Sequence, residues 1–317
     1  MFGSVVLEVA AGLTLIFLVL SVACTAIRES IEAWMKMRSV MLEQTVRELF
    51  QDPQGTGLTQ DLFKHPLING LYLGQYKPED LTAGQRMPWH CSLPAYIPSD
   101  SFALALLDLV QRKPGEDRTP PPLSIDGLRE AVDLIESPAV QRVLRIALER
   151  GNDRIEDIQA FLEGWYDSAM ERASGWYRRK TQLIVLVIGI VMSVALNVDT
   201  LQVAKVLYSD SSARQSLVAH ADVLGEQVRQ KDVSPTIVSI NELQANGLPI
   251  GWPKNYFSDS LGQVLLRLLY SLPGWLLTAF SISLGAPFWF DTLSRVTNIR
   301  STLKANNKKT VKAQQAA

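Results

Sequence analysis

Three long apolar stretches dominate the pattern of the chain. They lie near positions 5–27, 183–203 and 261–290, and ordinary mixed polar sequence separates them. The first carries no charge over the 19 residues from Val9 to Ile27. As a helix, that length spans roughly 28 Å, close to the thickness of the hydrocarbon core of a bilayer. No basic residue precedes it and Arg28 follows it, so we predict an uncleaved transmembrane helix, not a secretory signal.

The third stretch is uncharged from Leu268 to Phe290 and contains Pro273 and Pro287. Membrane helices tolerate internal proline where neighbouring groups satisfy the freed carbonyl. We therefore predict a transmembrane helix with a kink.

The middle stretch is shorter, because its unbroken apolar run ends at Leu196 and would also suit a buried core helix. Its flanks favour a crossing. Trp176 and Tyr177 are typical of an interfacial aromatic belt, and the basic run 178–180 is typical of the headgroup region. Asp199 costs about 3 kcal/mol even at mid-membrane, less than about a dozen apolar residues contribute at roughly 0.3 to 0.6 kcal/mol each. We predict a second transmembrane helix that continues past Val198, with a soluble core helix as the alternative.

Lysine and arginine are concentrated at one end of each predicted crossing, and the three crossings agree on which side of the membrane that end lies. Basic residues follow the first stretch, precede the second and follow the third, whereas the opposite ends carry few. The positive-inside rule then predicts an N-terminus outside and a C-terminus in the cytosol. The predicted organisation is an N-terminal transmembrane helix at 1–27, a cytosolic helical domain at 28–180, a second transmembrane helix at 181–204, an extracytoplasmic region at 205–260, a third transmembrane helix at 261–290 and a cytosolic basic tail at 291–317.

The cytosolic domain reads as helical, with conventional start and stop signals. In "ESPAVQRVLRIALERGND", Ser137 is a predicted N-cap, Pro138 takes the first helical position and Gly151 ends the helix. "SDSFALALLDLV" predicts a capped helix from about Asp100 to Arg112. Outside, the region 205–260 has one candidate short strand in "SPTIVSI" and is too small for much of a core of its own, so we expect it to lean on the membrane or on partner chains.

Two longer apolar stripes flank this domain. Ile155, Ile158, Leu162, Trp165 and Ala169 follow three-four spacing and lead into the second crossing, with only glycines 164 and 175 as breakers. This predicts a continuous rod from the cytosol into the membrane. A similar stripe leaves the first crossing and runs to position 49, so the two rods are predicted to pack antiparallel as a stalk.

Charge and cysteine content exclude few classes of function. The net charge of −1 gives no field that attracts nucleic acid, so we expect no nucleic-acid partner. Two cysteines, Cys24 and Cys91, suggest no disulfide framework. The expected partners are the lipid bilayer and either other proteins or further copies of the chain.

Small and polar residues recur on helical faces within the crossings. Such faces let helices approach closely and form hydrogen bonds, and a lining for a polar pathway is the alternative. The residues on these faces are Gly189, Ser193, Asn197, Gly274, Thr278, Ser281 and Gly285.

Charged residues near the outer ends of the crossings suggest an ion pair. Asp199 and Arg267 are its predicted members, and Glu8 lies at the outer end of the first crossing. A structural pair is favoured there over an ion or proton role. The predicted interface anchors are Trp176, Tyr177, Trp252 and Trp289.

Few residues suggest conventional catalysis. His65, His90, Cys91 and His220 are the candidates, and they lack the paired spacing of a zinc site. Loop packing is favoured over a catalytic dyad of His90 and Cys91. We therefore predict no catalytic residue, no metal and no cofactor.

The segments "SFALALLDL", "SGWYRRKTQ", "LNVDT", "LPIGW" and "SLGAPFWFDTLSRVTNIR" together resemble an uncharacterised family of bacterial integral membrane proteins. The resemblance covers about residues 65–300, and the last segment is its most specific part. It implies a bacterial membrane location and no particular activity.

The sequence as a whole therefore predicts an all-α integral membrane protein with three transmembrane helices, a helical cytosolic domain and a small extracytoplasmic loop region. We interpret it as a membrane-anchored scaffold or signal-relay protein without catalysis of its own. The alternatives are a subunit of an oligomeric channel or transporter and a membrane-bound enzyme.

Overall fold

The computed structural model is all-helical, with no strand among the residues that it describes. These are residues 2–78, 93–111, 122–151, 154–229, 247–253, 256, 258 and 260–299. The predictions for "SPTIVSI", His90, Cys91 and most of the basic tail lie outside them. The helices are α1 (Phe2–Met35), α2 (Met37–Phe50), α3 (Leu58–Lys64), α4 (Pro66–Asn69), α5 (Ser99–Gln111), α6 (Ile125–Val132), α7 (Pro138–Arg150), α8 (Ile155–Ala195), α9 (Thr200–Ser209), α10 (Ser211–Arg229), α11 (Leu261–Ser283) and α12 (286–299).

The chain divides into two compact units. A central unit comprises Ser30–Lys180, and a terminal unit comprises Met1–Glu29 with Thr181–Ala317. Helices α1 and α11 are long and apolar enough to cross a membrane, and α8 with α9 forms a third candidate span if the bent pair is counted as one. The all-α class with two or three candidate spans is thus confirmed.

The central unit has one apolar core, built around aromatic rings. Phe102 of α5 stacks on Tyr166 of α8, with ring centroids 4.2 Å apart, and on Phe50 of α2 at 5.9 Å. Phe63 of α3 stacks on Tyr76 at 4.7 Å. All five of these aromatic residues are buried, so their rings form the centre of the core.

Local signals positioned α5 and α7 correctly. The Ser137 hydroxyl accepts a hydrogen bond from Val140 N at 3.3 Å, Pro138 stands at the first helical position and the helix ends before Gly151. Helix α5 spans Ser99–Gln111, within one residue of the prediction. The boundaries of α7 are set by capping groups, which act over three or four residues and are visible in sequence.

Helix α8 runs unbroken for 41 residues, as the predicted rod requires. Its buried face in the central unit differs slightly from the predicted stripe, because Tyr166 replaces Trp165 at the centre and Ala173 continues the row. The other predicted rod is interrupted, since Lys36 takes a left-handed conformation (φ 47°) between α1 and α2.

The second crossing was wrongly predicted to continue as one helix past Val198. Helix α8 ends at Ala195, and α9 departs from it at an angle of 54°. Asn197 adopts a left-handed conformation (φ 46°), and Val198 N donates to Ser193 O at 2.8 Å, which closes the helix end in the manner of a Schellman motif. Asparagine is among the few residues that tolerate this conformation, and this explains the break.

The third apolar stretch is also interrupted. Helix α11 ends at Ser283, Gly285 has a positive φ of 86°, and α12 begins at position 286 with Pro287 in its first turn. Pro273 lies inside α11. The segment 261–290 is therefore one helix and the start of another.

Candidate functional site

The break between α8 and α9 gathers several of the residues that the sequence singled out. Asp199, only 3% exposed, is the N-cap of α9. Its Oδ1 accepts hydrogen bonds from Leu201 N at 2.9 Å and Gln202 N at 3.2 Å. The carboxylate therefore accepts hydrogen bonds from two backbone amides of the first helical turn, which have no partner within the helix.

Helix α11 packs directly against this carboxylate at Gly274. A Cβ atom at position 274 would lie 1.7 Å from Asp199 Oδ1 and 2.3 Å from Cγ. No side chain larger than hydrogen fits between them. Gly274 is thus a packing residue for the break in the neighbouring span.

One turn further along α11, the Thr278 side chain contacts the backbone carbonyl of Val198, which lies in the break. Its hydroxyl lies within hydrogen-bonding distance of Val198 O at 2.7 Å, of Gly274 O at 2.9 Å and of the Thr200 hydroxyl at 2.7 Å. Thr278 has a single hydroxyl hydrogen for these acceptors, and either threonine can be the donor in the contact between the two hydroxyls. The Val198 carbonyl at the centre of the break thus has a hydrogen-bond donor within the protein.

The end of α8 is closed by the segment that precedes α11. Gly251 N donates to Leu196 O at 2.7 Å, and the Trp252 indole donates to Ala195 O at 3.1 Å. The Asn197 amide donates to Gly251 O at 3.0 Å and accepts from the Trp275 indole at 3.2 Å. Trp252, predicted as an interface anchor, thus has a specific hydrogen-bonding role at the break.

The remaining small residues bring helices close together. A Cβ at Gly189 of α8 would lie 3.1 Å from Ala279 O of α11, so the two backbones almost touch there. Ser193 is buried and donates to Ile190 O of its own helix at 2.9 Å. Ser281 O accepts from the Trp289 indole at 2.6 Å, across the turn at Gly285.

The structure gives contacts for both members of the predicted ion pair. Asp199 contacts the α9 amides described above, and the Arg267 guanidinium lies 5.9 Å from the ring centre of Tyr256. A salt bridge in the terminal unit joins Glu8 of α1 to Arg214 of α10 at 3.1 Å. Arg214 also donates to Leu207 O at 2.9 Å, so it ties α1, α9 and α10 together.

Trp289, a predicted interface anchor, is buried, and its ring lies 4.7 Å from that of Phe17 of α1. Trp176 is about half exposed. In the central unit, the Tyr177 hydroxyl donates to the Glu32 carboxylate, and the Arg38 guanidinium lies over the Tyr177 ring.

The central unit contains a buried polar cluster that sequence reasoning missed. Glu43, 1% exposed, accepts from Arg47 Nε and from the Tyr76 hydroxyl at 2.7 Å. Arg47 also donates to Pro53 O at 3.1 Å and Pro78 O at 3.3 Å. Burial raises the pKa of Glu43, and the hydrogen bonds from Tyr76 and Arg47 oppose that rise. The cluster fixes the loop that follows α2 and the segment that follows α4, because the Arg47 donors named here end on Pro53, on Pro78 or on Glu43.

Beside this loop lies a cleft of about 510 Å³, lined by the ends of α2, α5 and α6 and the beginnings of α3 and α7. Ligand pockets in proteins measure roughly 300 to 1,000 Å³. Three carboxylates line the cleft, on Asp52, Asp61 and Glu136, together with an apolar floor. It is the candidate binding site of the central unit.

The histidines that the structure describes have structural contacts. His65 Nδ1 accepts from Leu67 N at 3.3 Å, so Nε2 carries the proton and donates to Asp108 at 3.2 Å. His220 lies 2.9 Å from Ser216 O of its own helix. Over the described residues, no three histidine, cysteine, aspartate or glutamate side chains are grouped so that they could hold a metal ion.

The chain matches no protein-family model, and neither a curated protein nor a solved structure shows significant similarity to it.

Proposed function

We propose that this chain is a membrane-anchored scaffold or signal-relay protein. In this proposal the terminal unit lies in the bilayer, with the N-terminus outside and the C-terminus inside. The central unit is the cytosolic part and binds partner proteins. Catalysis is not part of the proposed role.

The observation that carries the proposal is the contrast between the surfaces of the two units. Helix α11 leaves nine large apolar side chains exposed along 23 residues. Water-soluble proteins rarely expose apolar surface of that extent, whereas lipid covers it at no cost. The exposed residues are Leu261, Leu265, Leu266, Leu269, Tyr270, Leu272, Leu276, Leu277 and Phe280. The central unit, in contrast, has an apolar core of its own, and its exposed large apolar side chains are scattered over several helices and loops instead of lying along one helix.

Helix α8 supports the relay part of the proposal. It begins in the central unit and continues as one helix into the terminal unit, where Leu183, Val187 and Val191 are exposed. A helix without a break transmits a rotation or a shift from one end to the other. Replacing both Ser174 and Gly175 by proline would interrupt this helix. We expect this double substitution to uncouple changes in the extracytoplasmic region from partner binding by the central unit.

Photo-cross-linking in intact membranes tests the scaffold role. A photoreactive amino acid replaces Tyr96 or Leu134, exposed in the central unit, or Leu269, exposed on α11. We expect Tyr96 or Leu134 to capture a defined protein that also captures this chain in the reciprocal experiment, and Leu269 to yield lipid adducts. Protein capture at Leu269 with none in the central unit would contradict the proposal.

A second function, a subunit of an oligomeric channel or transporter, is favoured by one observation. A buried carboxylate, Asp199, stands at a break within a candidate span, and broken helices carry ion or substrate sites in many transporters. Against it, the protein itself satisfies the carbonyls of Ala195, Leu196 and Val198 at the break. Flux through proteoliposomes that is lost in Asp199→Asn would support this second function.

A further inference from the structure

The cleft of the central unit has a two-part lining. Its floor is apolar and includes Phe50, Leu109, Val110 and Ile135, while its charged residues are all acidic among those that the structure describes. No lysine or arginine appears in the described part of the lining. A ligand that fills it must therefore combine apolar surface with positive charge.

One of the three carboxylates is fully used within the fold. Asp52 Oδ1 accepts from Gly55 N at 2.9 Å, and Oδ2 accepts from Gly57 N at 3.0 Å and Thr59 N at 3.3 Å. These three bonds shape the loop between α2 and α3. Asp52 therefore contributes charge to the cleft, but its oxygens are occupied.

The other two carboxylates are available. Asp61 on α3 and Glu136 before α7 have neither a hydrogen bond nor a salt bridge within the described part of the chain. Burial raises the pKa of Asp61; Lys64 opposes the rise, and the nearby negative charges of Asp52 and Glu136 add to it. A cation between Asp61 and Glu136 would relieve this repulsion.

We infer that the cleft binds a basic segment of a partner polypeptide, with a lysine or arginine head group between Asp61 and Glu136 and its aliphatic stem on the apolar floor. The inference rests on the proposed function, because it names the kind of partner that the central unit would bind. Lysine and arginine have the required form, a charged group on a stem of three or four methylene groups. A metal ion does not, because it would leave the apolar floor uncovered.

The rim of the cleft favours a polypeptide over a small amine. Leu134 lines the cleft and is 66% exposed, and Pro138 and Gln51 are exposed beside it. A small amine would leave these rim residues uncovered. A peptide that continues past the cleft would bury Leu134 under a neighbouring apolar side chain, which the hydrophobic effect favours.

Direct binding of defined peptides tests the inference on the full chain. The chain is placed in nanodiscs of neutral phosphatidylcholine and titrated with a fluorescent octapeptide of alternating lysine and leucine, or with its glutamate–leucine counterpart. Empty nanodiscs measure binding to lipid alone. We expect binding of the basic peptide only, weakened by salt because the charged groups are partly exposed.

Charge-matched variants locate the binding. Asp61→Asn with Glu136→Gln is expected to weaken the basic peptide about tenfold, since two partly exposed charge pairs are lost. Asp126→Asn with Glu130→Gln removes the same charges from the exposed surface of α6 and is expected to change affinity less than twofold. Equal weakening by both pairs, or no binding beyond that of empty nanodiscs, would overturn the inference.

Photo-cross-linking separates failure of this inference from failure of the proposed function. Capture of one protein from Leu134, abolished by the Asp61 and Glu136 pair of substitutions, supports both. A second outcome is capture from Tyr96 that these substitutions leave unchanged, with no capture from Leu134. That outcome supports the scaffold function but shows that the partner does not bind in the cleft. No capture from either position overturns both.

Discussion

Replacing Gly274 by alanine places a methyl group where the structure has no room for one. The added Cβ would lie 1.7 Å from Asp199 Oδ1, 2.3 Å from Cγ and 2.9 Å from Oδ2. Normal contacts between such atoms are close to 3.5 Å. Either α11 moves away from the break, or the carboxylate leaves the amides of Leu201 and Gln202.

Both responses destabilise the terminal unit. Overpacking costs about 1 to 3 kcal/mol, and loss of an N-cap costs about 0.5 to 2 kcal/mol. The better helix propensity of alanine offsets about 0.5 to 1 kcal/mol. We expect Gly274→Ala to lower the free energy of unfolding by about 2 kcal/mol.

The control is Gly262→Ala on the same helix, where nothing lies within 4 Å of the added methyl group. That variant is expected to be neutral or slightly stabilising. Unfolding is followed by tryptophan fluorescence during titration of detergent-solubilised protein with sodium dodecyl sulfate. Trp252 and Trp275 report on the break because both form hydrogen bonds to it.

A double-mutant cycle isolates the contact itself. Asp199→Ala removes the atoms that the methyl group would meet, so Gly274→Ala should cost nothing further in that background. The expected coupling energy is about 2 kcal/mol, within the range seen for residues in contact. Equal stability of Gly274→Ala and Gly262→Ala, or the same cost of Gly274→Ala with and without Asp199, would refute the reasoning.

Three further outcomes are expected in the central unit. Arg47→Met leaves the Glu43 carboxylate buried without its guanidinium and should cost about 3 to 5 kcal/mol, with part recovered when Glu43→Leu is added; thermal melting of the full chain measures both. Gly164→Ala adds a methyl group with nothing within 4 Å inside α8 and should raise the free energy of unfolding by up to about 1 kcal/mol. The pKa of Asp61 is raised in the folded state, so the folded state holds its proton more tightly and stability falls as pH rises from 3.8 through the raised pKa. Asp61→Asn lacks this loss, so its melting temperature should equal that of the unchanged protein near pH 3 and exceed it at pH 7.

Capping residues made parts of the fold predictable. Ser137 and Pro138 mark the beginning of α7 and Gly151 marks its end, and the structure follows them. The long apolar stretches likewise identified the candidate spans, because no charge interrupts them. Signals of this kind are local and therefore visible in a single sequence.

The break after α8 was missed because its signals were read as part of an apolar helix. Asn197 and Asp199 are a left-handed residue and an N-cap, a combination that ends one helix and begins another. The partners of the break lie far along the chain. Asn197 forms a hydrogen bond with Gly251, 54 residues away, and Val198 forms one with Thr278, 80 residues away. No local pattern connects residues so far apart.

The buried Glu43–Arg47 pair was missed for a related reason. At a spacing of four on a helix, an acid and a base usually form an exposed pair. Here Tyr76 and the loop at Gly55, whose added Cβ would lie 2.5 Å from the Tyr76 hydroxyl, cover the pair. The burial of this pair depends on tertiary packing, which the local sequence does not show. The same is true of the cleft beside it.

Labelling from the two sides of the membrane tests the central claim most directly, namely that an odd number of crossings separates the central unit from α9. Single cysteines replace Leu134 in the central unit and Tyr208 in α9, both exposed, in a chain whose native cysteines have been replaced. A membrane-impermeant maleimide is added to intact spheroplasts and to disrupted membranes. We expect the cysteine at 208 to react in intact spheroplasts and the cysteine at 134 only after disruption. Reaction of both positions from the same side would contradict a bilayer crossing between them.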